Sequence, residues 1–216
     1  MTLTTEQSLN QFKANRDAID TMLDTELARG IRNVFLIGCG GTYTLALPWK
    51  YFADCHRMRP VYDEMAAEMI RKEHCQLGEG SLCLYASASG NTKEIVEAMA
   101  YSKSRGAVNV AILANTGSPM EQLADYVFYS PQDNDFACFF CAYAQILTRL
   151  AHEDGSFEPY ERFVSQMYGI GTALDAAAAK LTPECVFYAA RNANVPWHMV
   201  LGSGACWGEA MCYAMC

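Results

Sequence analysis

Basic residues are scarce in this sequence. Its 216 residues include 16 Lys and Arg against 24 Asp and Glu, which leaves a formal net charge of -8 at pH 7. Proteins that bind nucleic acids or anionic membranes over an extended surface need a basic face, so this composition argues against both kinds of partner. A small anion is not excluded, because backbone N–H groups and hydroxyls can hold a phosphate without any net positive charge.

Charged residues of either sign are few, and long apolar runs are missing. The charged fraction is 19% and the hydrophobic fraction is 51%, a balance that excludes an intrinsically disordered chain. No apolar run approaches the roughly 20 residues that cross a bilayer. The first 20 residues are polar and lack the apolar stretch of a secretory signal. We therefore expect a cytoplasmic protein without a membrane span.

The ten cysteines and four histidines do not have the setting of a disulfide framework or a metal site. Most cysteines lie inside apolar runs, which is typical of reduced thiols that pack as small core residues. Cys138 and Cys141 form a C-x-x-C motif, but no second Cys pair follows at the spacing of a zinc site, so core packing is favoured. We expect no metal and no cofactor. The histidines, scattered along the chain, are His56, His74, His152 and His198.

Five short apolar segments alternate with helical patterns between residues 33 and 130. Strands that alternate with helices form βαβ units, with right-handed crossovers and a parallel sheet that helices cover on both faces. The sequence therefore predicts an α/β fold, a three-layer sandwich around a parallel sheet. The predicted strands are NVFLIGCGG, RPVYD, SLCLYAS, VNVAILA and ADYVFYS.

Helical patterns and a second strand-like segment flank this sheet. Residues 5–29 predict a helix that Gly30 ends, and Thr182 with Pro183 predicts the start of another helix as N-cap and first helical position. WHMVLGSG repeats the strand-into-glycine form of NVFLIGCGG, and the helix CWGEAMCYAMC follows it without a cap. We therefore expect a fragment of a longer protein. Its predicted divisions are an N-terminal helix (1–30), a first domain (31–180), and a linker helix with the truncated start of a second domain (181–216).

Two loops that follow predicted strands carry groups suited to a ligand. Ligands of parallel sheets bind at the carboxyl ends of the strands, where strand order reverses. GCGGT (38–42) has glycines that admit close approach and a hydroxyl at a helix start. SASGNT (87–92) offers three hydroxyls ahead of a helix, more than the one that capping uses. These loops predict a phosphate site formed by Gly40, Gly41, Thr42, Ser87, Ser89, Gly90, Asn91 and Thr92.

A dinucleotide site is the competing interpretation of the first loop. Its fingerprint is G-x-G-x-x-G, and the position of the third glycine here holds Tyr43. Asp63, at the end of the second predicted strand, could act as the acid that binds a ribose. This interpretation leaves loop 87–92 without a role, and no GxxxxGK[ST] phosphate loop occurs. The residues therefore favour a phosphate ester.

The segments GCGGTY and SASGNTKEIVEA resemble the sugar isomerase (SIS) family, and NTGSPMEQLADYVFY is similar to that family's stretch before its fifth strand. The resemblance covers about residues 30 to 130 and implies a flavodoxin-like sheet. MVLGSGACWGEA resembles the opening of a second SIS unit. Within the family, the sequence looks most similar to the fructosamine-6-phosphate deglycases, relatives of the isomerase half of glutamine–fructose-6-phosphate aminotransferase.

The resemblance implies that Thr42, Ser87, Ser89 and Thr92 hold a sugar phosphate. Ala88 stands where some relatives have Gln or His, so its contact would come from the backbone. In these enzymes the acid-base glutamate and histidine lie on or beyond the helix that begins near residue 204. We therefore expect the catalytic residues beyond Cys216, so that this chain alone does not turn over a substrate, and Glu209 is not assigned to that role.

The implied function is cleavage of a phosphorylated fructosamine to a hexose 6-phosphate and an amine, by a homodimer or higher oligomer. The alternatives are a phosphosugar isomerase or aminotransferase-type enzyme, and a non-catalytic sugar-phosphate sensor. The helix-turn-helix module of SIS transcription regulators is not found in this sequence. One further set of residues predicts a buried helix face or a subunit contact: Met199, Cys206, Met211, Cys212, Met215 and Cys216.

Overall fold

The computed structural model describes residues 3–132 and 135–215. Five strands form one sheet in the order β2-β1-β3-β4-β5, and every neighbouring pair is parallel. This confirms the predicted parallel sheet, with the strand order of flavodoxin-like folds. The strands are β1 (Asn33–Gly38), β2 (Val61–Met65), β3 (Ser81–Ser87), β4 (Val108–Leu113) and β5 (Tyr126–Tyr129).

Helices connect these strands and continue after them. The helices among the described residues are α1 (Thr5–Phe12), α2 (Arg16–Arg29), α3 (Gly41–Cys55), α4 (Ala66–Lys72), α5 (Lys93–Ser104), α6 (Pro119–Leu123), α7 (Asp135–Glu153), α8 (Tyr160–Tyr168), α9 (Gly171–Arg191) and α10 (Trp207–Met215). Short 3-10 turns occupy Lys13–Asn15 and Gly204–Cys206.

The sheet separates two hydrophobic cores. Successive side chains of a strand point to opposite faces, so Val34 and Leu36 join one core and Phe35 and Ile37 join the other. Helices α3 and α7 contribute to the first core, and α4 and α5 contribute to the second. This arrangement confirms the three-layer sandwich.

The predicted helix over residues 5–29 is interrupted at Lys13–Asn15. The Asn15 side-chain amide donates hydrogen bonds to the carbonyls of Phe12, at 3.1 Å, and Tyr129, at 3.0 Å. Asparagine side chains that bond to the backbone in this way compete with helix continuation. The second of the two helices, α2, ends where predicted, because Gly30 has φ +94° and caps it in the left-handed conformation.

The prediction that a helix begins at Thr182 and Pro183 is wrong. Helix α9 runs unbroken from Gly171 to Arg191 with Pro183 inside it. The alanine run over residues 176–179 consists of the strongest helix formers, and it carries the helix through the proline. The Thr182 hydroxyl donates to the Ala178 carbonyl at 2.6 Å instead of capping a new helix. The predicted division at residue 181 therefore falls within a helix.

The predicted strand in WHMVLGSG is also not present. Residues 197–203 are irregular, because a strand needs a neighbour for its hydrogen bonds and this segment pairs with no strand of the described residues. The helix after it is confirmed as α10. Gly208 lets α10 pack on α3, since a Cβ there would lie 3.2 Å from the Cβ of Leu47.

The methionines and cysteines near the end of the chain are less buried than predicted. Met199 is 72% exposed, Cys206 is exposed, and Met211 and Cys212 are half-buried, because no described element packs over them. The Met215 side chain and Cys216 lie outside the described residues. Across the described residues, no helix is both long and apolar enough to span a bilayer.

The C-x-x-C thiols lie in the core, as predicted. Cys138 and Cys141 on α7 are 0% and 1% exposed. Burial, together with nearby Asp135, raises the pKa of Cys138 to about 12. Burial and its neighbour Cys138 raise the pKa of Cys141 to about 12 as well. Both groups are therefore neutral thiols at physiological pH, and the thiolate is the reactive form.

We expect iodoacetamide at pH 8 to leave Cys138 and Cys141 unmodified in the folded protein. The exposed Cys55 and Cys75 should react, because their thiols meet solvent. Mass spectrometry of peptides from the alkylated protein measures both outcomes. In guanidinium chloride all four should react, and labelling of Cys138 as fast as Cys55 in the folded protein would contradict the prediction.

Candidate functional site

The two predicted loops lie side by side at one edge of the sheet. β1 and β3 are parallel neighbours, with Ile37 opposite Tyr85, so their carboxyl ends reach the same level. β2 lies on the other side of β1, and the strand order therefore reverses between β1 and β3. Residues 38–42, here named the glycine loop, and residues 87–92, here named the serine loop, both emerge at this switch point.

The glycine loop brings the start of α3 against the end of β1. A Cβ on Gly38 would lie 2.5 Å from the Cα of Tyr43, so only glycine permits this turn. Gly40 has φ +56° and precedes the first turn of α3. The Thr42 hydroxyl donates to the Cys39 carbonyl at 3.1 Å and accepts the Cys39 N–H at 3.2 Å. Thr42 thus closes its own loop, and its contact with a phosphate stays a prediction.

The serine loop keeps two hydroxyl protons available to a ligand. The Ser87 hydroxyl oxygen accepts the Gly90 N–H at 3.1 Å, and the Ser89 oxygen accepts the Asn91 N–H at 3.2 Å. Because both serines act as acceptors within the loop, each O–H can still donate outward. Ser87 is 4% exposed and lies at the base of the loop, whereas Ser89 is exposed at its surface.

Thr92 does not serve as an ordinary helix cap. It occupies the N-cap position of α5, but its side chain makes no capping hydrogen bond among the described residues. The first intrahelical bond is from the Val96 N–H to the Thr92 carbonyl, so the preceding N–H groups of α5 have no helical acceptor. A half-buried hydroxyl therefore stands beside the unpaired donors of a helix N-terminus, where anions bind favourably.

The serine loop is supported by the loop that follows β4. Gly90 has φ +66°, and a Cβ there would lie 2.5 Å from the Cβ of Ser118. The Met120 N–H donates to the Gly90 carbonyl at 3.3 Å. The Asn115 side-chain amide donates to the Ala88 carbonyl at 3.1 Å, and the Gln132 amide donates to the Asn115 side-chain oxygen at 2.6 Å.

Asn115, Ser118 and Gln132 are residues of the site that the sequence analysis missed. Asn115 and Ser118 follow β4, and Gln132 follows β5. The available signal was their position, since polar side chains after parallel strands collect at one edge of the sheet. Phe136 was missed too: its ring lies 3.1 Å from where a Cβ of Gly41 would be, and 46% of it is exposed.

The structure argues against the dinucleotide interpretation. Tyr43, at the position of the third glycine, donates from its hydroxyl to Asp63 at 2.8 Å. Burial raises the pKa of Tyr43, and the hydrogen bond to Asp63 raises it further. Since the Asp63 carboxylate already binds a side chain, the acid that would hold a ribose is engaged.

No acid-base pair is assigned at these loops. Glu209 lies on α10 and is exposed, and His198 is exposed in the irregular segment before that helix. Within residues 3–132 and 135–215, no group of three His, Cys, Asp or Glu side chains could hold a metal ion. What the arrangement offers is a set of hydroxyl and backbone N–H donors at one edge of the sheet.

Comparison with known proteins finds a match over the sheet and α7. Residues 29–151 match the SIS domain family. The chain is 35% identical over 117 residues to the fructosamine deglycase FrlB of Bacillus subtilis (strain 168), covering 53% of this chain and 35% of that protein. It is 34% identical over 124 residues to a glutamine–fructose-6-phosphate aminotransferase of Mycolicibacterium smegmatis, covering 56% of this chain and 19% of that protein.

Two solved structures share the fold. The C-terminal domain of glucosamine-fructose-6-phosphate aminotransferase from Francisella tularensis superposes with a TM-score of 0.76 at 17% identity, covering 98% of this chain and 65% of that one. Tagatose-6-phosphate ketose/aldose isomerase from Escherichia coli gives a TM-score of 0.66 at 16% identity, covering 97% and 59%. The chain therefore spans less than two thirds of each of these four proteins.

We expect Gly90→Ala to lower the free energy of unfolding by about 3 kcal/mol, because alanine is strained at this φ and its Cβ overlaps Ser118. Urea denaturation measures the change. Gly117→Ala is the matched control, since Gly117 has φ +73° but open space around it, and it should cost about 1 kcal/mol. Equal losses in the two variants would show that the contact with Ser118 is not tight.

Proposed function

The chain belongs to the SIS domain family, and on that premise we propose that it binds the phosphate group of a phosphorylated sugar between the glycine loop and the serine loop. One observation carries this proposal. The hydroxyls of Ser87, Ser89 and Thr92 lie on one loop, at the strand switch point; the two serine oxygens accept N–H groups of the loop, and Thr92 makes no side-chain capping bond to α5.

The proposed site recognises the phosphate through neutral donors. Ser87, Ser89 and Thr92 would each donate one hydrogen bond to a phosphate oxygen, and the first N–H groups of α5 would add to them. Hydrogen bonds to a charged acceptor are stronger than those between neutral groups. A dianion can therefore be held by this loop in a protein whose net charge is -8.

We further propose that the substrate is a phosphorylated fructosamine. The 35% identity to a protein named fructosamine deglycase supports this choice. In the chemistry we propose, the sugar ring opens, a carboxylate moves a proton from C1 to C2, and a proton passes from the amine nitrogen to the C2 oxygen, so that the ketone becomes a hydroxyl at C2 and the amine becomes an imine at C1. Water then hydrolyses the imine to an aldehyde and the free amine. The residues of this chain anchor the phosphate, and the catalytic carboxylate is not assigned.

An isomerase or aminotransferase-type activity is the second candidate, supported by the 34% identity to an aminotransferase. The two differ in product, because only deglycation releases an amine and a hexose 6-phosphate together from a phosphorylated fructosamine. A coupled assay for glucose 6-phosphate on the full-length protein, with mass spectrometric detection of the amine, separates them. Conversion of fructose 6-phosphate without action on the fructosamine would favour the second candidate.

Assembly into a homodimer or higher oligomer and residence in the cytoplasm stay predictions. Exposed apolar side chains on α9 and after it suit an assembly, among them Leu181 at 49%, Phe187 at 68% and Trp197 at 70% exposure. Analytical ultracentrifugation measures the oligomeric state.

We expect fructose 6-phosphate and glucose 6-phosphate to bind the protein and NADH not to bind. Ser89→Ala should weaken the binding of either hexose phosphate by ~1.5–3 kcal/mol, the range for a hydrogen bond to a charged partner. Isothermal titration calorimetry measures these affinities.

Ser104→Ala is the matched control. Ser104 is an exposed serine near the opposite end of α5, with its hydroxyl on the Tyr101 carbonyl at 2.7 Å, and its loss should leave affinity unchanged. Binding of NADH in place of the sugar phosphates would contradict the proposed function. Equal affinity of Ser89→Ala and the parent would show that Ser89 does not face the phosphate.

A further inference from the structure

A chain of two side-chain amides crosses the outer edge of the serine loop. The Gln132 Nε2 donates to the Asn115 Oδ1 at 2.6 Å, and the Asn115 Nδ2 donates to the Ala88 carbonyl at 3.1 Å. We name this chain the amide relay. A carbonyl oxygen can only accept, so Asn115 must turn its NH₂ toward Ala88, and its oxygen then needs a donor, which Gln132 supplies. The direction of both hydrogen bonds follows from this requirement.

The relay fixes the direction of one backbone N–H. The Ala88 carbonyl and the Ser89 N–H belong to the same peptide group, and in a planar trans peptide they point in opposite directions. No cis peptide occurs in the described residues. Asn115 follows β4, and β3 lies between β4 and β1. A carbonyl held toward the β4 side therefore turns the Ser89 N–H toward β1 and the glycine loop.

The Ser89 N–H is a donor without an acceptor in the part of the chain that the structure describes. The next two N–H groups of the loop are both engaged, that of Gly90 by Ser87 and that of Asn91 by Ser89. The following carbonyl, that of Ser89, accepts the side-chain amide of Asn91 at 3.0 Å. The 89–90 and 90–91 peptides thus each have a hydrogen bond from within the loop, whereas the hydrogen bond on the 88–89 peptide comes from Asn115.

We propose that Asn115 is a positioning residue of the phosphate site, which aims the Ser89 N–H at the bound phosphate through the Ala88 carbonyl, with Gln132 holding the Asn115 amide in the required orientation. This inference rests on the proposed function. The proposal adds one backbone donor, the Ser89 N–H, next to Ala88, whose side chain is apolar. It assigns the orientation of that N–H to Asn115, in the loop that follows β4.

The test compares Asn115→Ala, Gln132→Ala and the double variant. Asn115→Ala should lower the affinity for fructose 6-phosphate and for inorganic phosphate about tenfold, the lower end of the range for one hydrogen bond to an anion. Gln132→Ala should weaken both by less. The double variant should match Asn115→Ala, because Gln132 acts only through Asn115 and the two effects are then not additive. Calorimetry measures affinity, and thermal unfolding measures stability.

Asn192→Ala is the matched control, since Asn192 also donates its amide to a carbonyl, that of Tyr188, at 2.8 Å, but it lies at the end of α9. Its melting temperature should fall as much as that of Asn115→Ala, while its phosphate affinity stays at the parent value. As a second measurement, the Ser89 amide resonance in a ¹⁵N–¹H NMR spectrum should shift on phosphate addition in the parent and not in Asn115→Ala.

Three results would overturn the proposal. If Asn115→Ala binds both phosphate compounds with the affinity of the parent, the positioning role of Asn115 is wrong while the proposed function stands. Additive losses in the double variant would show that Gln132 and Asn115 act separately. A parent that binds neither fructose 6-phosphate nor inorganic phosphate would overturn the proposed function and this inference together.

Discussion

The parallel pairing of β1 with β3 is the constraint on which the candidate site depends. Neither loop can form the site alone, because the glycine loop offers a helix start with one internally bonded threonine and the serine loop offers the hydroxyls. The chain passes from β1 to β2 and then back across β1 to β3, which pairs with the opposite side of β1. That return reverses the strand order and leaves a crevice between the two loops, since neighbouring connections leave the sheet on opposite faces.

The loops at this crevice are held by close contacts that only small residues permit. Gly38 lets the backbone of α3 approach the end of β1, and Gly90 lies against Ser118 with no room for a side chain. Side-chain hydrogen bonds then hold the backbone of the serine loop. The Asn115 amide donates to the Ala88 carbonyl from outside the loop, and the Asn91 amide donates to the Ser89 carbonyl within it. A loop preorganised in this way loses little conformational freedom when a ligand binds, so more of the interaction energy appears as affinity.

Most of the sheet and both loops could be predicted from the sequence, because their signals are local. SLCLYAS is an apolar run that ends at the first hydroxyl of the serine loop, and it coincides with β3. The supporting residues could not be predicted in the same way. Asn115 and Gln132 are ordinary loop residues in sequence, and only the pairing of β3 with β4 brings Asn115 to Ala88. The errors have the same origin: Pro183 has the local signature of a helix start, but an alanine run carries the helix past it, and residues 197–203 have a strand pattern without a strand to pair with.

The acidic composition constrains how such a site can work. With a net charge of -8 the long-range field of the protein opposes a phosphate dianion, so affinity has to come from donors in contact with it. The lysine nearest in sequence, Lys93 at the start of α5, is 82% exposed on its side chain and lies 3.9 Å from the Glu97 carboxylate, so solvent and that carboxylate weaken its field. Hydroxyls and backbone N–H groups act only at hydrogen-bond distance and weaken steeply when misaligned. A neutral anion site therefore depends on the orientation of each donor more than a site built from arginine or lysine does, and this dependence is the physical reason for the positioning role that we propose for Asn115, which bonds to the loop backbone.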